Sequence, residues 1–104
     1  MKYQQGDVIV RAVKEIPSNA VEVKARDRGY VLAEGETSGH YHVLDAIPTT
    51  RMFSDGGTMF LSLLAPQKIR HEEHKEIELP AGNYKVGIVK EVDPFSEEVR
   101  SVRD

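Results

Sequence analysis

Arg51-Met52-Phe53-Ser54-Asp55-Gly56-Gly57-Thr58-Met59-Phe60-Leu61-Ser62-Leu63-Leu64 decides the fold class. Arg51-Met52-Phe53 and Thr58 to Leu64 are β-favouring runs on either side of Asp55-Gly56-Gly57. A glycine turn between two such runs is a strong hairpin signature. Pro66 ends the second strand, since proline donates nothing to a ladder. Period-two alternation continues on both sides of this hairpin. Towards the N-terminus, Val8, Val10 and Ala12 alternate with Ile9, Arg11 and Val13, which predicts a strand buried on most of both faces. Val21, Val23 and Ala25 alternate with Glu22, Lys24 and Arg26. Tyr30 to Ala33 and His40 to Leu44 read as further strands. Towards the C-terminus, Tyr84, Val86 and Ile88 alternate with Lys85, Gly87 and Val89 in a long strand reaching Val92. Turns are expected at Ile16-Pro17-Ser18-Asn19, Asp27-Arg28-Gly29 and Pro80-Ala81-Gly82-Asn83. Ile69 to Leu79, with Ile69, Ile77 and Leu79 as its only aliphatics, reads as a polar, exposed connection with a short strand at its end. Phe53, Phe60 and Tyr84 are expected in the core, with the Tyr84 hydroxyl at its rim. About eight short strands with regular turn signals predict an all-β domain, a small barrel or sandwich. Residues 93–104 form a polar tail, where the spacing of Phe95, Val99 and Val102 admits a short helix.

The chain has 104 residues, enough for a single domain over 1–104. Its 39% hydrophobic and 30% charged residues suit a packed globule rather than a disordered chain. With no cysteine, thiolate zinc sites, iron–sulfur clusters and cysteine nucleophiles are excluded. The absence of thiols suits a cytoplasmic setting. No apolar run is long enough to span a bilayer, and Met1 to Asp7 has no secretory pattern. These features lead us to expect no membrane association. A net charge of −3 argues against a protein coated in basic residues.

All four histidines fall in two pairs, His40-Tyr41-His42 and His71-Glu72-Glu73-His74. Residues two apart on a strand share a face, and residues three apart meet on a turn. Each pair can therefore place two imidazoles on one ion. Four would close a tetrahedral site, and three would leave a position for water. Imidazole accepts zinc, iron and nickel alike, so the donor set does not fix the metal. Tyr41 between the first pair points away from them on a strand. Glu72, Glu73 and Asp45 are the nearby carboxylates, with Glu72 and Glu73 the candidate general bases. The bland alternative is a solvated histidine-rich turn. There is no phosphate-binding glycine loop, dinucleotide fingerprint, His-Glu-x-x-His or nucleophile elbow.

Lys24, Arg26 and Arg28 recur at alternate positions. A strand running through them would carry a row of positive charge able to hold a small anionic, nucleotide-like ligand. Only Tyr30 is near to stack on a base, which argues against nucleic acid. Balanced by Glu22 and Asp27, the row is equally a solvated strand face.

Several stretches together resemble a family of short, uncharacterised bacterial and phage proteins. They are Leu32 to His42, His71-Glu72-Glu73-His74, Leu79-Pro80-Ala81-Gly82-Asn83-Tyr84-Lys85-Val86 and Asp93-Pro94. The resemblance implies a bacterial or phage-infected cell and no particular chemistry. Gly35 followed by His40-Tyr41-His42, and the Pro80-Ala81-Gly82 turn, are similar to parts of the cupin motifs. That similarity implies a small β-barrel with metal in its mouth. Tyr84 and Lys85 stand where the second cupin motif has a histidine, so at most His40 and His42 carry over.

Three functions follow as expectations. The first is a histidine-cluster protein holding a divalent metal. If it is an enzyme, it is a metal-assisted hydrolase or a cupin-like metalloenzyme, but no complete catalytic set is present and the reading tilts away from catalysis. The second is an accessory module that docks a host protein or captures an anionic ligand. The third is a structural component, a homo-oligomer that covers its own sheet edges.

Overall fold

A computed structural model describes residues 1–27, 29–34 and 41–88. These residues form ten strands: β1 (Lys2–Gln5), β2 (Val8–Val13), β3 (Val21–Val23), β4 (Tyr30–Glu34), β5 (Tyr41–Leu44), β6 (Thr50–Asp55), β7 (Thr58–Leu63), β8 (Gln67–Ile69), β9 (Ile77–Leu79) and β10 (Gly82–Ile88). The domain is all-β, and no described segment is helical. No described helix is long and apolar enough to cross a membrane. The expected tail helix lies outside the described residues, as do Gly35 to His40, Arg28 and residues 89–92, through which the last strand was expected to run.

Six strands pair antiparallel in the order β1-β2-β10-β7-β6-β3, and β4-β5 and β8-β9 form two separate hairpins. The six-stranded sheet keeps two open edges, β1 and β3, so it does not close into the barrel that was one of the two expected forms. The hairpin read from sequence is present, with Asp55 opposite Thr58 around Gly56-Gly57.

Register explains which side chains reach the core. Ala12, Tyr84, Leu61, Met52 and Val23 face one another across successive strands. Tyr3, Val10, Val86 and Met59 form the neighbouring row. Same-face rows of this kind are the unit that stabilises a sheet. Against them lie Leu32, Leu44, Ile69 and Leu79, contributed by the two small hairpins. The hairpins are joined by an isolated antiparallel bridge between Val43 and Arg70. Gln67 anchors this layer, accepting from the Thr50 hydroxyl and donating to the Asp45 carbonyl at 2.7 Å. The Tyr84 ring is buried while its hydroxyl donates to the Pro80 carbonyl at 2.6 Å.

Several local expectations are corrected. β2 buries Val8 and Val10 only: Arg11 points to the face that is not covered, and Ala12, on the same face as Val8 and Val10, is exposed towards the strand's end. β1 and β8 were not expected as strands, since each holds a single apolar residue, Tyr3 or Ile69. The short strand expected at the end of the 69–79 connection is β9, and it pairs with an unexpected β8 to make a hairpin. Phe60 is buried as expected, whereas Phe53 is only half-buried. β3 stops at Val23, and Val21 is 69% exposed. Lys24 and Arg26 therefore have no strand on which to form an alternating row, and Arg28 lies outside the described residues.

Candidate functional site

The bridge between β5 and Arg70 assembles the site. Val43 and Arg70 exchange both backbone hydrogen bonds at 2.9 Å. One step along an antiparallel pair, His42 stands opposite His71, and the next step sets Tyr41 against Glu72. Accordingly, the His42 and His71 rings lie 4.3 Å apart between centroids. The Tyr41 amide donates to Glu72 Oε1 at 3.0 Å. The chain then turns tightly, with the Glu73 and His74 amides directed at His71 Nδ1 at 3.0 and 3.3 Å. That turn carries the His74 ring to 4.5 Å from His71 and 5.8 Å from His42. Three of the four histidines singled out by sequence thus meet. His40 lies outside the described residues.

A third segment completes the site, and the sequence reading missed it. It is Gln5 at the end of β1 with Gly6 and Asp7, the two-residue connection to β2. Tyr3 and Gln5 share the inward face of β1, and Gln5 is 2% exposed. Its Oε1 lies 2.8 Å from His42 Nδ1, and its Nε2 donates to the carbonyls of Ile69 and Lys75 at 3.0 and 2.9 Å. Asp7 Oδ1 stands 3.9 Å from His42 Nε2. Gly6 adopts φ +59°, and a Cβ there would come within 2.7 Å of His74 Nε2. No hydrophobic alternation marks this segment. Its one sequence signal is a glutamine two residues after Tyr3, immediately before a Gly-Asp turn.

Close approach at Gly6 leads to a prediction. Gly6→Ala should cost about 1–2 kcal/mol from the left-handed backbone alone. It should also push the His74 ring out of the cluster. Chemical denaturation would measure the first effect, and the His74 imidazole resonances the second. An unshifted His74 would contradict the geometry.

His42 is 2% exposed, and its pKa is lowered to about 4. Burial is the main cause, followed by the neighbouring His71; Asp7 works in the opposite direction, His74 lowers it further, and Glu72 opposes. At neutral pH the ring is uncharged, which is the form that ligates metal. His71 and His74 are half-buried, while Glu72 and Glu73 are exposed. Asp45 is ion-paired with Arg70 at 2.5 Å. His71, Glu72, Tyr41, Arg70, Asp45 and Asp27 line an adjoining cleft of about 540 Å³, which brings solvent to one side of the cluster. As the rings stand, no three of the described histidines and carboxylates surround a common point at coordinating distances.

Residues 4–88 match the family described as a domain of unknown function, DUF8820, and the chain belongs to that family. The match spans Gln5 to Asp7, His42 and His71 to His74. No curated protein and no solved structure matches the chain.

Proposed function

We propose that this DUF8820 domain is a metal-binding module. In this reading it holds a zinc, nickel or ferrous ion through His42, His71 and His74, with Asp7 as an oxygen donor. His40, two residues before His42 in the chain, is a further candidate ligand. One observation carries the reading: two imidazoles and a carboxylate, from two remote segments, gather on the buried, neutral ring of His42. The separation of 3.9 Å between His42 Nε2 and Asp7 Oδ1 is close to the distance of about 3.4 Å that two tetrahedral zinc ligands take up. An ion between them would relieve a lone pair facing a carboxylate.

Occupying the site requires the half-buried His71 and His74 rings to turn. Such rotations cost about 0.5–1.5 kcal/mol each. Structural zinc sites supply about 10–16 kcal/mol, so this cost does not decide against binding. The reading is of a binding module rather than an enzyme, because the two expected general bases, Glu72 and Glu73, are both exposed. The adjoining cleft carries Asp27, Asp45, Glu72 and Glu76 against Arg70, which disfavours an anionic ligand there. A bacterial or phage cytoplasm is the setting implied by the sequence resemblance.

Untagged protein purified without chelator should contain close to one equivalent of zinc, nickel or iron by elemental mass spectrometry. In calorimetric titration of the metal-free protein, His42→Ala should weaken binding at least about a hundredfold, and Asp7→Asn about tenfold. Absence of metal, together with no thermal shift on adding zinc, nickel or ferrous ion, would overturn the reading.

A further inference from the structure

We infer that Gln5 is a positioning residue that locks His42 in its Nδ1–H tautomer and so presents an unprotonated Nε2 to the histidine cluster. The argument is one of donors and acceptors. Gln5 Nε2 lies between the Ile69 and Lys75 carbonyls, at 3.0 and 2.9 Å. Carbonyl oxygens only accept, so the amide nitrogen must occupy that side. The reverse orientation would set an oxygen against two oxygens inside a buried site, at about 1–3 kcal/mol for each polar group left unsatisfied. Gln5 Oε1 is thereby fixed towards His42 Nδ1 at 2.8 Å. An amide oxygen also only accepts, so the proton of that hydrogen bond resides on Nδ1. A neutral imidazole has one ring proton, and Nε2 is left with a lone pair.

His71 is fixed in the opposite sense. Its Nδ1 receives the Glu73 and His74 amides, so in the neutral ring the proton sits on Nε2. Two adjacent imidazoles, 4.3 Å apart, thus carry opposite tautomers. The functional meaning rests on the metal-binding reading: His42 is the donor already prepared, whereas His71 must move its proton before Nε2 can coordinate. The tautomers themselves do not depend on that reading.

The test uses the metal-free, uniformly ¹⁵N-labelled protein near pH 7.5. Long-range proton–nitrogen correlation should show His42 with a protonated Nδ1 and an unprotonated Nε2, and His71 the reverse. A His42 ring protonated at Nε2, or one averaging between tautomers, would overturn the inference, whether or not the protein binds metal. Gln5→Met keeps the side-chain length and removes the acceptor. It should move the His42 resonances towards the tautomer average, and an unchanged His42 would show that Gln5 is not the cause. Should that variant fail to fold, the spectrum of the unaltered protein still decides the matter. Failure to take up zinc with the expected tautomers present would sink the metal reading alone.

Discussion

Gly29→Ala is expected to lower the midpoint of thermal unfolding by about 15 °C. Gly29 has φ +107°, and a Cβ there would run into the Leu44 carbonyl oxygen and meet Val43 Cγ1 at 3.3 Å. The first obstacle is backbone, and it belongs to the strand paired with β4. No rotamer change relieves it, so β4 and β5 must separate or Gly29 must leave its place. Backbone strain and the clash together should cost about 3 kcal/mol. At about 4–8 °C per kcal/mol for a domain of this size, that gives the stated shift. The damage would reach the histidine cluster, because Leu44 is two residues from His42 on β5. Gly87→Ala is the control. A Cβ at Gly87 would meet nothing within 4 Å, and its φ is not positive. Calorimetry of both variants decides: a midpoint for Gly29→Ala within a few degrees of the control would contradict the described β4–β5 pairing.

The second large effect is a loss of stability on mild acidification. His42 has a folded pKa of about 4 against an ordinary value of 6.5. Between these values the unfolded chain binds the proton and the folded chain does not. Stability is therefore fully present above pH 6.5, falls as the pH drops towards 4 and levels off below it. The full span corresponds to about 3 kcal/mol, of which about 2 kcal/mol is lost by pH 5. The interval from 6.5 to 5 is the informative one, because most carboxylates remain ionised there. Urea denaturation at pH 7, 6 and 5 should show the decline. His42→Asn, whose amide can still donate to Gln5, should flatten it. A wild-type protein equally stable at pH 7 and pH 5 would refute the burial of a neutral His42.

Much of the fold was legible because core strands advertise themselves by alternation. β7 and β10 carry apolar residues at every second position, the Gly56-Gly57 turn marks β6 as the partner of β7, and the three lie side by side in the large sheet. Edge elements carry weaker patterns. β1 holds only Tyr3 as an inward apolar residue, and β8 only Ile69, so neither stands out from polar loop. Lys24 and Arg26 show the opposite error, since a period-two charge pattern continues past the point where β3 loses its partner. For the site, His-x-x-His spacing picked out His71 and His74, which meet on one turn beside His42, because spacing reflects local geometry; His40 lies outside the described residues. Gln5 and Asp7 were invisible for a physical reason. Their roles are created by contacts with residues 35 to 70 positions away, and a lone glutamine before a turn carries no local trace of them.

The hydrogen bonds of Gln5 span 37, 64 and 70 residues of chain. Such separations make the cluster a late product of folding, since long loops must close before these contacts return any energy. During synthesis, a nascent chain has Gln5 and His42 long before it has Ile69 or Lys75. Without those two carbonyls the amide of Gln5 has no fixed orientation, and His42 has no assigned proton. The arrangement of the cluster is therefore incomplete until residues 67–79 have left the ribosome and folded back on the first strand. A truncated chain ending before that hairpin would carry half of the histidines and none of their organisation.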